Sequence, residues 1–305
     1  KWLDVTVDLN ASHGVGKGIG GLEMSGYNPL WIAFNSSPTM TMTDKNGYYN
    51  WDPYGTIQAN AYGIIAASES ERRRDVFSGH IDLKFNIIKG LTFTSSNGVD
   101  YYNNTSYSFT PQSVNGAGKN SMGNSNLQRM LLQSSNNITY NHTWNDKHYL
   151  TVTGVWEATK STIRNMGISG SSLQAESVGW WDVKNAVTRD ATNGYSDWAL
   201  LSGVGRVIYN YDNRYMLTGT FRADGSSRFT NDKWGYFPSV AVAWTASNES
   251  FMESTRDLIS NLKIRASYGV IGNQDIDPYS TLAILNTTTT YFGNSSGVTL
   301  SLIHI

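Results

Sequence analysis

The stretch from Arg222 to Trp244 reads RADGSSRFTNDKWGYFPSVAVAW and combines charges, a turn and an apolar run. Arg222 and Asp224 stand before the turn-forming Gly-Ser-Ser triplet, aromatic residues follow it, and alternating apolar residues end the stretch. Three structures fit such a stretch: the rim of a catalytic pocket, a sugar-binding lip, or the tip of a long β-hairpin. The flanking sequence narrows the choice.

Alternation of apolar and polar residues precedes this stretch and recurs along the chain. From Arg214 to Asp224 the apolar side reads Tyr215, Leu217, Gly219, Phe221 and Ala223, and Met216 is the exception on the polar side. The same pattern begins near Leu3, Phe77 and Leu262, and it is weaker at about 91–102, 128–144, 148–158, 200–211 and 236–246. Because successive side chains of a strand point to opposite faces, the pattern predicts about nine β-strands. Each is long enough to cross a bilayer, which takes ~9–11 tilted residues.

The connections between these strands alternate between short and long. Short turns fall at 88–90, 145–147 and 212–213, and long polar segments at about 13–75, 103–126, 160–197 and 224–235. This asymmetry is typical of an outer-membrane barrel with short periplasmic turns and long extracellular loops. A soluble β-sandwich also alternates, but its strands usually have ~5–6 residues, fewer than these segments.

One connection on the short side has medium length and runs from Ser247 to Asn261. Ser247 or Asn248 suits the N-cap of a short helix. We therefore expect a small helix there, whose buried side is formed by Phe251, Met252, Leu258 and Ile259.

Composition excludes several classes of function. Charged residues make up 15% of the 305 residues, against about 25% in soluble domains. The net charge is -1, and the only basic cluster is Arg72–Arg74, so we expect no nucleic-acid partner. Without cysteine there is no disulfide framework and no thiolate metal site.

The chain starts at Lys1 without a signal-peptide pattern, and we expect it to be a segment of a longer protein.

Motifs for covalent chemistry are weak. Residues Gly16–Gly21 match G-x-G-x-x-G formally, but the dinucleotide motif needs a helix directly after it, and turn residues follow instead. The five histidines have no ligand spacing, and carboxylates such as Glu157 and Glu176, or Asp224 and Asp232, give no recognisable glycosidase pair. We therefore expect neither an enzyme nor a cofactor or metal site.

Aromatic residues in the long loops are the stronger candidates for binding. Tyr48, Tyr49, Trp51 and Tyr54 cluster in the first long segment, and Trp180 and Trp181 in a later one. Exposed aromatic rings stack on sugar rings or hold apolar side chains, so these six are candidate substrate-binding residues; packing within the loops or against a partner is the alternative. Aromatics near strand ends fit an aromatic girdle at the membrane interface instead; these are Trp198, Tyr209, Tyr211 and Trp244.

Three consecutive segments resemble the signature region of the SusC/RagA-type TonB-dependent outer-membrane transporters, the nutrient importers of Bacteroidetes. They read YMLTGTFRADGSSRF, KWGYFPSVAVAW and LKIRASYGVIGNQDIDPY, and the resemblance covers about 204–279. It identifies Arg222 to Trp244 as a hairpin tip on the extracellular side.

The resemblance implies structural roles for the residues of this motif. Gly225 would permit a tight turn, Pro238 would stand near a strand start where a missing N–H is tolerated, and Arg222, Asp224 and Arg228 would bond one another at the lumen or rim. The motif residues assigned structural roles are Arg222, Asp224, Gly225, Ser226, Ser227, Arg228, Phe229, Trp234, Gly235, Tyr236, Phe237 and Pro238.

The resemblance also implies a fold, partners and an activity. Such transporters have a plugged barrel of the 22-stranded kind, an N-terminal plug that contacts TonB, and a SusD-like surface lipoprotein as a lid. Residues 1–305 would form about nine strands of the barrel, in contact with outer-membrane lipid, with the plug and the other strands absent. The implied activity is import of glycan fragments or peptides across the bacterial outer membrane. The alternatives are a passive porin-like barrel and a secreted β-rich glycan-binding module. The final SLIHI fits no clear strand or turn.

Overall fold

The chain folds around one antiparallel β-sheet of nine strands. The computed structural model describes residues 2–18, 29–38, 40–50, 60–114, 119–255, 257–282, 284–292 and 295–303. The strands pair in chain order and are β1 (Leu3–Lys17), β2 (Glu69–Ile88), β3 (Leu91–Thr110), β4 (Ser121–Trp144), β5 (His148–Leu173), β6 (Ala186–Tyr211), β7 (Tyr215–Ser226), β8 (Trp234–Thr245) and β9 (Lys263–Gly269). The predicted all-β class and antiparallel sheet are confirmed.

A separate hairpin follows the sheet, formed by β10 (Ile284–Phe292) and β11 (Ser295–Ile303). The prediction that the final SLIHI fits no strand is therefore wrong for 301–303, which pair in this hairpin. Residues 304 and 305 lie outside the described residues.

The register divides the sheet into an apolar and a polar face. Val7 lies opposite Ile81 and Phe93 opposite Ile138, so apolar residues of neighbouring strands share one side. We call this side the apolar face; it carries Val5, Val7, Leu9, Ile81, Phe93, Ile138, Val152, Val207, Leu217, Phe221 and Val242. Apart from half-buried Phe93, these side chains are exposed in the isolated chain, with Leu9 at 72%. An apolar surface of this extent requires a partner or a membrane.

The short turns occur where the sequence predicts them. Asn145 and Asp146 join β4 to β5, and Asp212 and Asn213 join β6 to β7; all four have φ between 51° and 55°. Two consecutive positive φ values define the type I′ hairpin turn, which matches the right-handed twist of the strands. Gly90, with φ of 85°, closes the turn between β2 and β3.

The strands extend much further than predicted at the opposite end. The segments 103–126 and 160–197, expected to be polar loops, consist largely of strand, because β3 continues to Thr110 and β5 to Leu173. Ladder hydrogen bonds form between backbone groups and need no apolar alternation. Where a strand has water on both sides, its side-chain pattern is lost although pairing continues.

The described helices are short and lie mainly in the connections. α1 spans Pro29–Asn35 and α2 spans Ala61–Ala67, and four short 3₁₀ segments cover Glu176–Val178, Val183–Asn185, Ala246–Asn248 and Ser250–Thr255. None of these helices has the length and apolar character needed to cross a membrane.

The predicted small helix between β8 and β9 is wrong in type and in burial. Two 3₁₀ segments replace it, and Phe251 and Leu258 are 65% and 88% exposed. Ser247 is buried instead, and its backbone N–H donates to the carbonyl of Leu262. The segment is therefore fixed by backbone contacts with the start of β9, so an apolar helix face is not needed.

Two small cores lie at the long-loop end of the sheet. One consists of Ile32, Ile64 and Val114, with Tyr49 packed against it. It joins the first long connection to the β3–β4 connection. The other consists of Phe109, Met122, Leu173 and Ala186, with Val178, Trp180 and Val183 against it.

Candidate functional site: the polar face and the long-loop end

A charged network crosses the polar face from β4 to β7. Arg222 donates to the carboxylate of Asp224 at 2.8 Å and to the hydroxyl of Ser202 at 3.1 Å, and it lies 3.7 Å from the carboxylate of Glu157. Ser135 donates to the opposite oxygen of Glu157 at 3.4 Å. The network therefore links four neighbouring strands, β4 to β7, through side chains of the polar face.

A second polar group lies on β2 and β3. The hydroxyl of Ser78 donates to Asp100 at 2.6 Å, His80 and Asp82 are 3.0 Å apart, and the guanidinium of Arg74 lies 5.9 Å from the ring of Tyr102. Charges of both signs thus recur along this face. Among the described residues no group of three or more His, Asp or Glu is placed to hold a metal ion. The face suits hydrogen bonding to polar solutes, water or a second polar surface.

Arg228 organises the tip of the β7–β8 hairpin. Its guanidinium carbon lies 4.6 Å from the centre of the Trp198 ring. The same group donates to the carboxylate of Asp275 at 3.0 Å and to the backbone carbonyls of Gln274 and Ile276 at 3.3 Å and 2.8 Å. The expected mutual bonding of Arg222, Asp224 and Arg228 is therefore wrong for Arg228, which binds the segment after β9.

Two other motif residues also have roles that differ from those expected. Gly225 does not form the turn, because β7 continues to Ser226; instead, a Cβ on Gly225 would lie 2.9 Å from the indole of Trp234. Pro238 lies inside β8 rather than at its start, and its carbonyl accepts from Val270 just beyond the last ladder pair with β9. Its missing N–H therefore faces a place where the ladder has ended.

The remaining motif residues close the hairpin onto the sheet. Ser227 exchanges two hydrogen bonds with Ala199 of β6, one through its backbone N–H at 2.9 Å and one through its hydroxyl at 2.8 Å. Tyr236 stacks on Phe221 with ring centres 6.1 Å apart. Ser226, Phe229, Gly235 and Phe237 complete this region of the hairpin.

The loop aromatics fall into two separate places. Tyr48 is 38% exposed, and Tyr49 packs in the core of the first long connection. Trp51 and Tyr54 lie outside the described residues. Trp180 and Trp181 both contact Tyr107, with ring centres 5.9 Å apart in each pair, and Trp181 is 71% exposed.

The register shows which side of the sheet the tryptophan pair occupies. Tyr107 and Phe93 are an even number of positions apart on β3, so their side chains lie on the same face. Trp180 and Trp181, which contact Tyr107, therefore lie on the side of the apolar face, beyond the apolar residues. The guanidinium of Arg73 also contacts Tyr107 and lies 5.5 Å from the centre of its ring. The sequence did not predict that Tyr107 and Arg73 belong to this cluster, because only the pairing register of the strands brings them close to the loop that carries Trp180 and Trp181.

An aromatic row marks the short-turn end of the apolar face. Neighbouring rings lie 5.0 to 6.4 Å apart along it, and its members are Tyr140, His142, Trp144, His148, Tyr209, Tyr211 and Tyr215. Its position fits the interfacial girdle of a membrane barrel. Trp198, which we expected in this girdle, is not part of the row; it lies under Arg228 on the polar face.

Glu249 ties the β8–β9 connection to this end of the sheet. Its carboxylate accepts from the hydroxyl of Tyr215 at 2.7 Å and from the indole of Trp244 at 3.1 Å, and it pairs with Arg214 at 3.3 Å. These bonds, that from Tyr215 above all, hold the pKa of Glu249 below its usual value.

Comparison with known proteins places this chain among transport receptors. It is 30% identical over 262 residues to TonB-dependent receptor P3 of Formosa agariphila, a match covering 85% of the chain and 26% of that receptor. Over 78 residues it is 45% identical to TonB-dependent receptor SusC of Bacteroides thetaiotaomicron, which is 25% of the chain and 8% of SusC. The chain belongs to the SusC/RagA-type TonB-dependent receptors. The resemblance inferred from the hairpin motif is thereby confirmed.

Solved structures give the same fold. The RagAB peptide importer in its closed-closed state superposes with a TM-score of 0.78 at 19% identity. The match covers 99% of the present chain and 34% of the importer chain. The RagAB peptide transporter gives a TM-score of 0.74 at 21% identity. The chain spans about a quarter of the length of the receptor P3 that it matches. No family model matches the chain.

Proposed function

We propose that this chain forms part of the wall of an outer-membrane transporter that imports glycan fragments or peptides, with energy supplied through TonB. The partners in this proposal are a SusD-like surface lipoprotein over the long-loop end and TonB through an N-terminal plug. In this role the chain binds and guides a solute and catalyses no covalent reaction.

The division of the sheet into two faces carries the proposal. An exposed apolar face suits lipid, and the opposite face with the Arg222 network suits an aqueous lumen or a plug surface. Neighbouring strands of the nine-stranded sheet pair in chain order, so their ladders satisfy backbone groups as a membrane interior requires. The connections after β1, β3, β5 and β7 share one end of the sheet, where they are placed to meet a solute from outside.

The long-loop aromatics are the proposed solute contacts. Trp181 and Tyr48 are exposed enough to stack on a sugar ring or an apolar side chain, and Trp181, on the side of the apolar face, would do so outside the lumen. Trp180 and Tyr49 are packed in the two small cores and would position them. Trp51 and Tyr54 belong to the same proposal by sequence.

An uptake measurement tests the proposal. The gene of the full-length receptor is deleted in its own bacterium, and the uptake of labelled oligosaccharides and of labelled peptides is followed with and without complementation. We expect loss of uptake of one of the two classes, and the same loss when TonB is removed. Uptake that survives removal of TonB, together with steady ion conductance in planar bilayers, would instead indicate a passive porin-like barrel.

A further inference from the structure

Two cations on the apolar side of β5 lie in one groove. Lys160 and Arg164 are four positions apart and therefore share a face of the strand. Both line a concavity of about 330 Å³ together with Tyr101, Gln128, Thr162 and Tyr195. The register places Arg164 between Gln128 and Tyr195, and Thr162 next to Met130. By this register, all the residues named here lie on the apolar face.

The height of the groove matches a lipid headgroup layer. β5 begins at His148, which belongs to the aromatic row at the short-turn end, and reaches Lys160 about 12 residues later. At ~3.3 Å per residue and a tilt of ~40°, the vertical distance between these two residues is roughly 30 Å. The hydrocarbon core of a bilayer is ~30 Å thick. Lys160 and Arg164 therefore lie at the outer interface, and the exposed side chains of Met130 and Leu132 lie beside them on the same face.

The two cations have little neutralisation within the chain. Within the described residues, neither Lys160 nor Arg164 forms an ion pair with a carboxylate; the guanidinium carbon of Arg164 lies 5.9 Å from the centre of the Tyr195 ring. The nearest acid by register is Asp197, opposite Thr162. Its carboxylate accepts from the hydroxyl of Tyr279 at 2.6 Å. Lys17 and Arg73, two other cations on this side, are both paired with Glu71.

We propose that the groove between Lys160 and Arg164 binds the phosphate of a phosphorylated lipid headgroup in the outer leaflet. Lysine and arginine supply a charge and a fork of donors for phosphate oxygens. Gln128 and Thr162 add neutral donors, while Met130 and Leu132 meet the acyl chains. A phosphorylated lipid fits better than a soluble anion, because the groove opens on the face that meets lipid. The inference rests on the proposed function, since it requires the apolar face to lie in a membrane.

Native mass spectrometry of the full-length receptor in detergent tests this site. The probe is bisphosphorylated lipid A, compared with its dephosphorylated form. We expect the wild-type receptor to retain the phosphorylated form and the double variant K160Q/R164Q to retain at least about tenfold less. The matched control is K17Q, which removes an exposed but ion-paired cation on the same side and should retain lipid A as the wild type does. Heat-modifiable migration of each variant shows that its barrel is intact.

Equal retention by K160Q/R164Q and wild type, or equal retention of both lipid forms, would overturn the inference. Displacement of lipid A by an excess of inorganic phosphate alone would also overturn it, because the site would then be one for free phosphate. Failure of the proposed function is separate: a receptor absent from the outer-membrane fraction refutes both proposals. Normal import by the wild-type receptor, together with equal retention of lipid A by K160Q/R164Q and wild type, refutes only the lipid-binding inference.

Discussion

The guanidinium carbon of Arg228 lies over the indole of Trp198, 4.6 Å from the ring centre, and thereby joins the β7–β8 hairpin to the polar face of β6. Its Nη1 donates to the carboxylate of Asp275 and to two carbonyls of the segment after β9. One side chain, only 13% exposed, therefore connects three parts of the chain. This contact explains the role of the motif arginine better than a bond to its neighbours in sequence.

Replacing Arg228 by alanine should loosen the segment 273–282. The loss of the ring contact and of charge-assisted bonds to two half-buried carbonyls should cost about 2–3 kcal/mol. Limited proteolysis of the full-length receptor should then cut within 273–282 much faster in R228A. The control is D275N, which removes an ion pair whose acid is 88% exposed and should change the rate little. Equal cleavage of R228A and wild type would contradict this role.

Gly225 and Gly219 form a matched pair on one strand. A Cβ at Gly225 would lie 2.9 Å from the Trp234 indole, whereas nothing lies within 4 Å of a Cβ at Gly219. We expect G225V to destabilise the hairpin by about 1–3 kcal/mol through overpacking, and G219V to be neutral. The temperature at which the folded, fast-migrating band of the receptor disappears in gels measures both. A G219V variant as unstable as G225V would show that close packing at Trp234 is not the cause.

Local sequence signals determined the two faces and the turns. Alternation from Tyr215 to Ala223 is a property of neighbours along the chain, and Asn145–Asp146 carries the chemistry of a type I′ turn. The extension of β5 to Leu173 was missed because polar residues and glycines interrupt the apolar alternation after Lys160, while the backbone pairing continues.

Long-range contacts determine the candidate site and were not predictable from the sequence. Arg228 and Asp275 are 47 positions apart, and only the pairing of β7, β8 and β9 brings them together. The aromatic loop residues were visible as a cluster, but Tyr107 reaches Trp180 through the register of β3. The resemblance of the hairpin motif indicated the family without revealing these contacts.

Acidification should loosen the β8–β9 connection. The pKa of Glu249 is lowered in the folded chain, mainly by the bond from Tyr215 and then by that from Trp244. Its contribution to stability is therefore complete above the ordinary glutamate pKa of 4.5 and is lost as the pH falls through the lowered value. Relative to the intrinsic exchange rate at each pH, the amides in 246–255 of the wild type should lose protection in acid. In E249Q their protection should already be lower at neutral pH and depend less on acid; an unchanged acid response in E249Q would refute this assignment.

Trp180 and Trp181 should differ in what their removal changes. Trp181 is 71% exposed, so W181A should leave stability unchanged and weaken binding of an imported solute by about tenfold, as expected for the loss of one stacking ring. Trp180 packs in the core with Met122 and Leu173, so W180A should lower stability. Solute titration of the two purified receptors, monitored by tryptophan fluorescence, separates the effects. Unchanged affinity in W181A would remove this loop from the proposed binding surface.

The outer edges of β1 and β9 predict how the 305-residue chain behaves alone. Within the described residues each of these strands pairs on one side only, so each presents a row of unpaired backbone groups. In hydrocarbon each unpaired group costs several kcal/mol, and an open sheet therefore does not persist there. We expect the isolated chain, refolded into liposomes, to give no heat-modifiable and protease-resistant band, whereas the full-length receptor treated identically should give one. A resistant band from the isolated chain would mean that the two edges pair with each other or with a second copy, and a cross-link between cysteines introduced in β1 and β9 would distinguish these two arrangements.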